Sequence, residues 1–414
     1  MKELLRAVTE SPDDDAPRLV YADSLMRTGD PRGEFIALQC AGTAEAMTRA
    51  NELLEAHRAA WIDAMPNVLD AVFVRGFASA VLLRCGAPAL ACCDVEPIRA
   101  VTLDGGDADP LAAATWFAAD ARTSRIRALD LTRADWGEAA FARLLGADLR
   151  SLRELHVGDF DCLPHAARAV AALEGLTTLG FHGDAYADLD EGIDLLASSP
   201  RMSSLETLTL TDCGLTPRAG IALGASPHLA RLRYLSLSGG SYQANRIRDD
   251  GALALARSAT LGSLSQLALV HNDVSDVFLE ALAAPGSLPS LTNLAVNSCA
   301  RVTSAGIAAL ASSARFATME QLWLGGCRID DAGVIALATS PHNRALRRIN
   351  LHGNPITAAG ARALADSPLA GQLDLLSIEL TPELEATLRP RFGDRLNPPA
   401  NVRRDPLAYR PIGR

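Results

Sequence analysis

The sequence predicts an α/β solenoid, with a parallel sheet lining its concave side and helices on its convex side, preceded by a small helical N-terminal region. Three observations predict it. A leucine pattern returns about every twenty-seven residues, the signature of a stack of strand-plus-helix units that bury their apolar faces only against one another. It reads Leu205-x-x-Leu208-x-Leu210-x-x-Cys213, Leu264-x-x-Leu267-x-Leu269-x-x-Asn272, Leu291-x-x-Leu294-x-Val296-x-x-Cys299 and Leu346-x-x-Ile349-x-Leu351-x-x-Asn354. Helix-start signals follow the best of these, as in Thr216-Pro217, Thr303-Ser304-Ala305-Gly306, Asp330-Asp331-Ala332-Gly333 and Thr357-Ala358-Ala359-Gly360, where Thr or Asp can cap the first amides. Ser-Pro pairs then close units at Ser199-Pro200, Ser226-Pro227, Ser340-Pro341 and Ser367-Pro368, because proline disfavours helix in the residue before it.

Taken in order, residues 1–70 read as helical. Leu4, Leu5 and Val8 form a short apolar face; Asp13–Asp15 ahead of Ala16-Pro17 suit a helix start, and that helix runs through Leu19, Val20 and Leu25 to Gly29. Asp30-Pro31-Arg32-Gly33 reads as a turn, Phe35 as the start of the next helix, and Glu45–Ile62 as a third, with Leu53, Leu54 and Trp61 facing its core. Residues 71–97 read as an N-terminal cap, extended over Ala71–Leu83, broken by Arg75-Gly76, and ending in a degenerate repeat. Repeats fill 98–372, starting at Ile98, Ile126, Leu152, Leu176, Leu205, Leu232, Leu264, Leu291, Met319 and Leu346, with a last start at Leu373; residues 373–396 form a C-terminal cap and 397–414 a Pro/Arg-rich tail. The glycine at the third helical position of several units is expected to let the helix sit close to the strand layer.

The repeat LxxLxLxx(C/N)x(I/V)TxxGxxxLA resembles the ribonuclease-inhibitor-type and cysteine-containing leucine-rich repeats, over about three quarters of the chain. The resemblance implies a horseshoe. Asp14-Asp15-Ala16-Pro17-Arg18-Leu19-Val20-Tyr21-Ala22-Asp23, followed by Gly29-Asp30-Pro31-Arg32-Gly33-Glu34-Phe35-Ile36-Ala37-Leu38-Gln39-Cys40, is similar to the bacterial repeat-companion domain of myxobacteria and planctomycetes. Where that family shows Trp-Leu-Glu-Glu, this chain has Ser24-Leu25-Met26-Arg27. The resemblance implies no enzymatic activity.

Composition narrows the function. Across 414 residues the net charge is -10, which argues against a nucleic-acid binder. No apolar run spans a bilayer and Met1-Lys2-Glu3-Leu4 opens no signal core, so the expectation is a cytoplasmic, bacterial, monomeric protein without a membrane role. The eight cysteines form no Cys-x-x-Cys pattern, and no phosphate loop, HExxH or nucleophile elbow occurs. The expectation is a non-enzymatic scaffold without cofactor or metal.

Outward strand positions then define the expected partner surface. Short polar residues dominate it: Thr209 and Thr211, Ser236 and Ser238, Asn297, Asn350 and His352, with His156 and His182 toward the N-terminus. Trp323 and Tyr234 stand out as anchors, since exposed Trp is enriched in binding hot spots. Trp323→Ala is expected to keep the fold and weaken binding. Asp130, His156 and His182 fall near one another in the register, a grouping more suited to a polar floor than to a metal. Two units carry insertions, placing Tyr186, Tyr242 and Arg246 as loop contacts. Asn272, Asn354 and Cys213, Cys299, Cys327 share one repeat position and read as structural. Two other readings remain open at this point: a regulator of another enzyme, GTPase-activator-like or an inhibitor, and a structural array whose N-terminal helices carry the interaction.

Overall fold

A computed structural model describes residues 1–86, 90–158, 163–183, 189–240 and 245–397, except for the side chains of residues 163 and 164. The chain divides into two compact units that meet in sequence at residues 160 and 161. Tyr186 and Tyr242 fall outside the described residues.

The first unit opens with four helices, α1 (Lys2–Glu10), α2 (Asp15–Met26), α3 (Pro31–Ala41) and α4 (Ala44–Asp63). Asp14 caps α2 by accepting from the Ala16 amide. Asp30-Pro31-Arg32-Gly33 is the first turn of α3 rather than a separate turn, because Asp30 caps the Arg32 amide and Pro31 supplies a preset helical φ. The buried side of α2 is Arg18, Ala22 and Leu25, while Leu19 and Val20 face outward. Gly33 decides this packing: a Cβ there would stand 2.6 Å from the Ala22 carbonyl oxygen. The helices rest on an antiparallel hairpin, β1 (Val68–Val74) and β2 (Phe77–Arg84), turned by Arg75 and Gly76 at positive φ. β3 (Ala100–Asp104), α5 (Pro110–Ala119), β4 (Ala128–Arg133), α6 (Gly137–Leu145) and β5 (Glu154–Gly158) continue the sheet in parallel from β2.

Two buried arginines join helices to hairpin. Arg32 donates from Nε to the Gly76 carbonyl at 2.7 Å and from Nη2 to Glu96 at 2.9 Å, and its guanidinium lies 4.7 Å from the Trp61 ring and 4.9 Å from Phe73. Glu96 also accepts from the Ala78 amide at 2.7 Å. Burial lifts the Glu96 carboxyl above the ordinary carboxylate range, against the pull of Arg32 and that amide. Arg18 donates to the carbonyls of Arg75 and Pro12 and lies 5.0 Å from the Phe77 ring.

The second unit alternates helix and strand: α7 (Leu163–Val170), β6 (Thr178–His182), α8 (Asp190–Ser198), β7 (Thr207–Thr211), α9 (Pro217–Ala225), β8 (Tyr234–Ser236), α10 (Arg248–Ala256), β9 (Gln266–Ala268), α11 (Asp276–Ala283) and β10 (Asn293–Ala295). It continues through α12 (Ser304–Ser312), β11 (Gln321–Trp323), α13 (Asp331–Thr339), β12 (Arg348–Asn350), α14 (Ala358–Asp366), α15 (Leu369–Gln372), β13 (Leu375–Ser377) and α16 (Pro382–Phe392). β6 to β13 pair in sequence order, each parallel to the next. The repeat leucines, among them Leu208, Leu267, Leu294, Leu322 and Ile349, are fully or almost fully buried between sheet and helices. Among the described residues no helix is long and apolar enough to cross a membrane.

Successive coils are tied by small polar side chains. Asp276 in the first turn of α11 accepts from the Thr303 amide at 2.7 Å and its hydroxyl at 2.6 Å, one repeat later. Asp249 does the same for Ser275, Asp331 for Thr357, and Asp190 for Thr216. The third-position glycines serve this ladder rather than the strand layer. A Cβ at Gly306 would lie 2.4 Å from Asp276 Oδ1, and one at Gly360 would lie 2.6 Å from Asp331 Oδ1.

Candidate functional site

Side chains at the turns after β7 to β12 face inward and close the backbone. Asn272 accepts from the Ile247 amide and donates to the carbonyls of Leu237 and Val270; Asn354 does likewise with Ile329, Leu324 and Leu351. Cys213, Cys299 and Cys327 donate from the same position to carbonyls of the preceding coil, those of Phe181, Leu269 and Val296. Burial raises all three thiols, Cys327 to about 12, so none is a poised nucleophile. Sequence reasoning missed Asn245. The unit beginning at Leu232 has Gly240 at the expected place, and Asn245, five residues later and fully buried, takes over. It accepts from Cys213 and Leu215 amides and donates to Leu210 and Leu237 carbonyls. An Asn at the end of an insertion, just ahead of an Arg-Ile helix entry, was the available signal.

The helix-free face of the sheet differs from the expected flat polar wall. Its middle column is closed. Trp323 is only 2 % exposed, and His156, Thr209 and Ser236 are each 4 % exposed. Trp323 is therefore not an exposed anchor. Its strand neighbours on one side are Ala295 and then Ala268, too small to fill their share of the face, and the indole packs on both, with Tyr234 and Val270 against the same cluster. Its Nε1 points to Gln321 Oε1 at 3.4 Å. Thr209 and Ser236 are short residues on adjoining strands about 4.8 Å apart, and flanking side chains cover them. Ser236 donates to Ser238 at 3.1 Å. Tyr234, Thr211, Ser238 and His182 are half-buried.

Asp130 and His156 are register partners on β4 and β5, as expected, but their resolved bonds run along the strands. Asp130 accepts from the Thr132 amide and hydroxyl, and His156 Nε2 lies 3.0 Å from Glu154 Oε1. His182 belongs to the second unit. Among the described residues no group of three or more His, Cys, Asp or Glu is placed to hold a metal ion. Arg246 is exposed, and its backbone amide donates to the Leu215 carbonyl at 2.7 Å.

Three of the expected residues do converge. At the C-terminal ends of β10 to β12, Asn297, Asn350 and His352 line a recess of about 430 Å³, together with Ser298, Gly325 and Ser377. Glycine keeps it open: a Cβ at Gly325 would stand 3.1 Å from Asn350 Nδ2 and 3.2 Å from Asn297 Oδ1. Each asparagine is held by its oxygen. Asn297 Oδ1 accepts from the Gly325 amide at 2.7 Å, and Asn350 Oδ1 from the His352 amide at 3.0 Å. That fixes two amide Nδ2 donors beside an exposed imidazole without committing them to backbone. Such a recess offers preset hydrogen-bond donors to carbonyl or carboxylate oxygens.

A parallel sheet of short strands, one leucine-lined coil per strand and an inward Asn or Cys at the turns after β7 to β12 together define a leucine-rich-repeat fold. Comparison agrees at the level of the repeat: a family profile described as Leucine Rich repeat matches residues 317–338 and 342–365. A search of curated proteins by sequence finds no match. Among solved structures, a chain from the yeast Rad7 and Elc1 complex is similar over 71 % of this chain and 73 % of its own length, at 15 % identity and a TM-score of 0.48. An internalin (InlF) from Listeria monocytogenes is similar over 73 % of this chain and 87 % of its own, at 14 % identity and a TM-score of 0.41.

Proposed function

We propose that this protein is a non-enzymatic interaction scaffold that binds a protein partner on the concave, helix-free face of its repeats, with the Asn297–Asn350–His352 recess as the contact centre. The recess carries the reading: on a face whose middle column is closed by Trp323 and the small residues beside it, the recess gathers unengaged donors at its lower end. Trp323 and Tyr234 then act as the rigid floor beside the contact rather than as the anchor itself. Preorganised donors next to a packed aromatic floor suit an extended polypeptide, whose carbonyls recur along its length. The buried free thiols suit a reducing compartment, in keeping with a cytoplasmic monomer. The N-terminal stretch similar to the repeat-companion domain would then be a structural start to the array, since its Arg18, Arg32 and Gly33 are spent on packing.

A photo-crosslinking residue at position 352 tests this, with one at Ile221 on the exposed side of α9 as the control. The expected outcome is a partner crosslinked from position 352 and not from 221, with affinity for that partner falling about tenfold or more in Asn297→Ala/Asn350→Ala. Crosslinking from the helix side alone, or unchanged affinity in the double variant, overturns it.

A further inference from the structure

The first unit carries a second cleft that the concave-face reading does not use. It measures about 360 Å³ and lies between the α1–α2 segment and the start of the repeats, lined by Glu10, Glu96, Arg99, Arg125 and Arg127 among others. The arginines come from the repeat architecture itself. Arg99, Arg127 and Arg153 occupy the same place, just ahead of β3, β4 and β5; the Arg127 amide donates to the Arg99 carbonyl and the Arg153 amide to the Arg127 carbonyl, each at 2.7 Å. A column of like charges about 4.8 Å apart is self-repelling unless anions relieve it.

The acids near the cleft are already engaged. Glu96 is buried in its pair with Arg32, and Glu10 is paired with Arg6 at 2.7 Å. Asp13 accepts from Arg99 Nη1 with both oxygens at 2.9 Å. Arg99 is thereby neutralised, and Arg153 donates to the carbonyls of Arg150 and Leu152. Arg125 and Arg127 remain, both exposed; among the described residues neither guanidinium makes a hydrogen bond or close ion pair, and the charge of Arg127 reaches Asp13 only through space. Thus, in a chain of net charge -10, this cleft holds two guanidiniums without a direct side-chain partner among the described residues.

We infer that this cleft binds a short acidic peptide segment of a partner protein, with one or two carboxylate or phosphate groups bridging Arg125 and Arg127. Guanidinium pairs match such oxyanions bidentately. Pro12, Pro97 and Ile98 add an apolar part to the lining, beside Thr9, Ser124 and Ser151, and give a peptide side chain contact that an inorganic anion lacks. Glu10 in the lining and Asp13 on Arg99, in a chain of net charge -10, favour a short run of negative charge over a long polyanion such as nucleic acid.

The test uses the full-length protein at low salt and fluorescence anisotropy. The probes are a labelled peptide with a Glu-Glu-Leu-Glu core, the same peptide with phosphoserine in place of one Glu, and its all-Gln counterpart. Saturable binding of either acidic peptide, absent for the Gln peptide and weakened about tenfold in Arg125→Gln/Arg127→Gln, supports the site, and the tighter of the two identifies the oxyanion. Both arginines are exposed, so an unchanged thermal melt confirms that the variant is folded; Ile221→Ala, on the exposed side of α9, is expected to bind the peptides as the parent does. Failure of both acidic peptides to bind, equal binding of the Gln peptide, an unaffected double variant, competition by inorganic phosphate at concentrations equal to the peptide, or tighter binding of a single-stranded oligonucleotide each overturns it.

Discussion

In the N-terminal unit one guanidinium, that of Arg32, reaches the Gly76 carbonyl, the buried Glu96 and the rings of Trp61 and Phe73 at once. In the second unit the comparable task is split among many small groups, an Asp–Thr or Asp–Ser tie and an inward Asn or Cys in each of several coils. The first arrangement concentrates stability in a few non-repeated contacts; the second spreads it along the chain, as a quasi-one-dimensional stack allows. The difference teaches where each unit is vulnerable.

The largest effect is expected at the concentrated point. Arg32→Met should cost the N-terminal unit about 4 kcal/mol, because it leaves Glu96 buried without its partner. Urea unfolding of the full chain should show an early transition, and Glu96→Leu added to Arg32→Met should restore part of the loss. No rescue would mean that the ring stacking, not the ion pair, carries the contact.

Trp323→Ala is next. The burial of this side chain over Ala268 and Ala295 means that the substitution opens a cavity, at a cost of about 3 kcal/mol, instead of leaving the fold untouched as an exposed anchor would. Hydrogen exchange should rise around β9 to β11 first. A stability indistinguishable from the parent would place the indole back among the exposed anchors.

Asn272→Ala should cost about 2 kcal/mol by stranding buried amide and carbonyl groups of two coils. Asp276→Ala should cost about 1 kcal/mol, since it removes one tie among several. In a stack both losses should stay local, raising exchange in the adjoining coils while distant ones keep their protection. A uniform rise along the whole array would contradict the distributed picture.

The smallest effect is in pH. Burial raises the Asp331 carboxyl, but the Thr357 hydroxyl and the amides of Thr357 and Gly360 outweigh it and hold it below the ordinary carboxylate value. A carboxylate held low in the folded state adds stability above its unfolded value, and that stability fades as pH falls through the folded one. Acid unfolding of Asp331→Asn should therefore show a shallower loss below about pH 4, by roughly half a kcal/mol.

Several features were legible in the residues. The strand starts from Ile98 to Leu373 and the inward Asn and Cys positions follow from one period, because each coil repeats the same burial problem. The recess residues Asn297, Asn350 and His352 were legible as outward positions flanking Trp323, though not as a recess of their own. Other features were hidden by contacts between distant residues. The Asp276–Thr303 tie joins groups 27 residues apart, and neither looks unusual in its own helix start. Asn245 hid behind an insertion that moved it off the repeat register. Nothing in the local sequence marks Arg18 as buried, yet it is 4 % exposed because the Phe77 ring and the carbonyls of Arg75 and Pro12 engage it.

By itself, then, the amino-acid order determined the coil: its period, its strand and helix, and which side chains alternate inward. Those are local consequences of pleat and helical geometry, and they need no knowledge of neighbours. Tertiary structure alone decided which outward positions are open. Exposure on a sheet face depends on the size of the side chains on adjoining strands, so two alanines bury Trp323 while Gly325 keeps the space between Asn297 and Asn350 free.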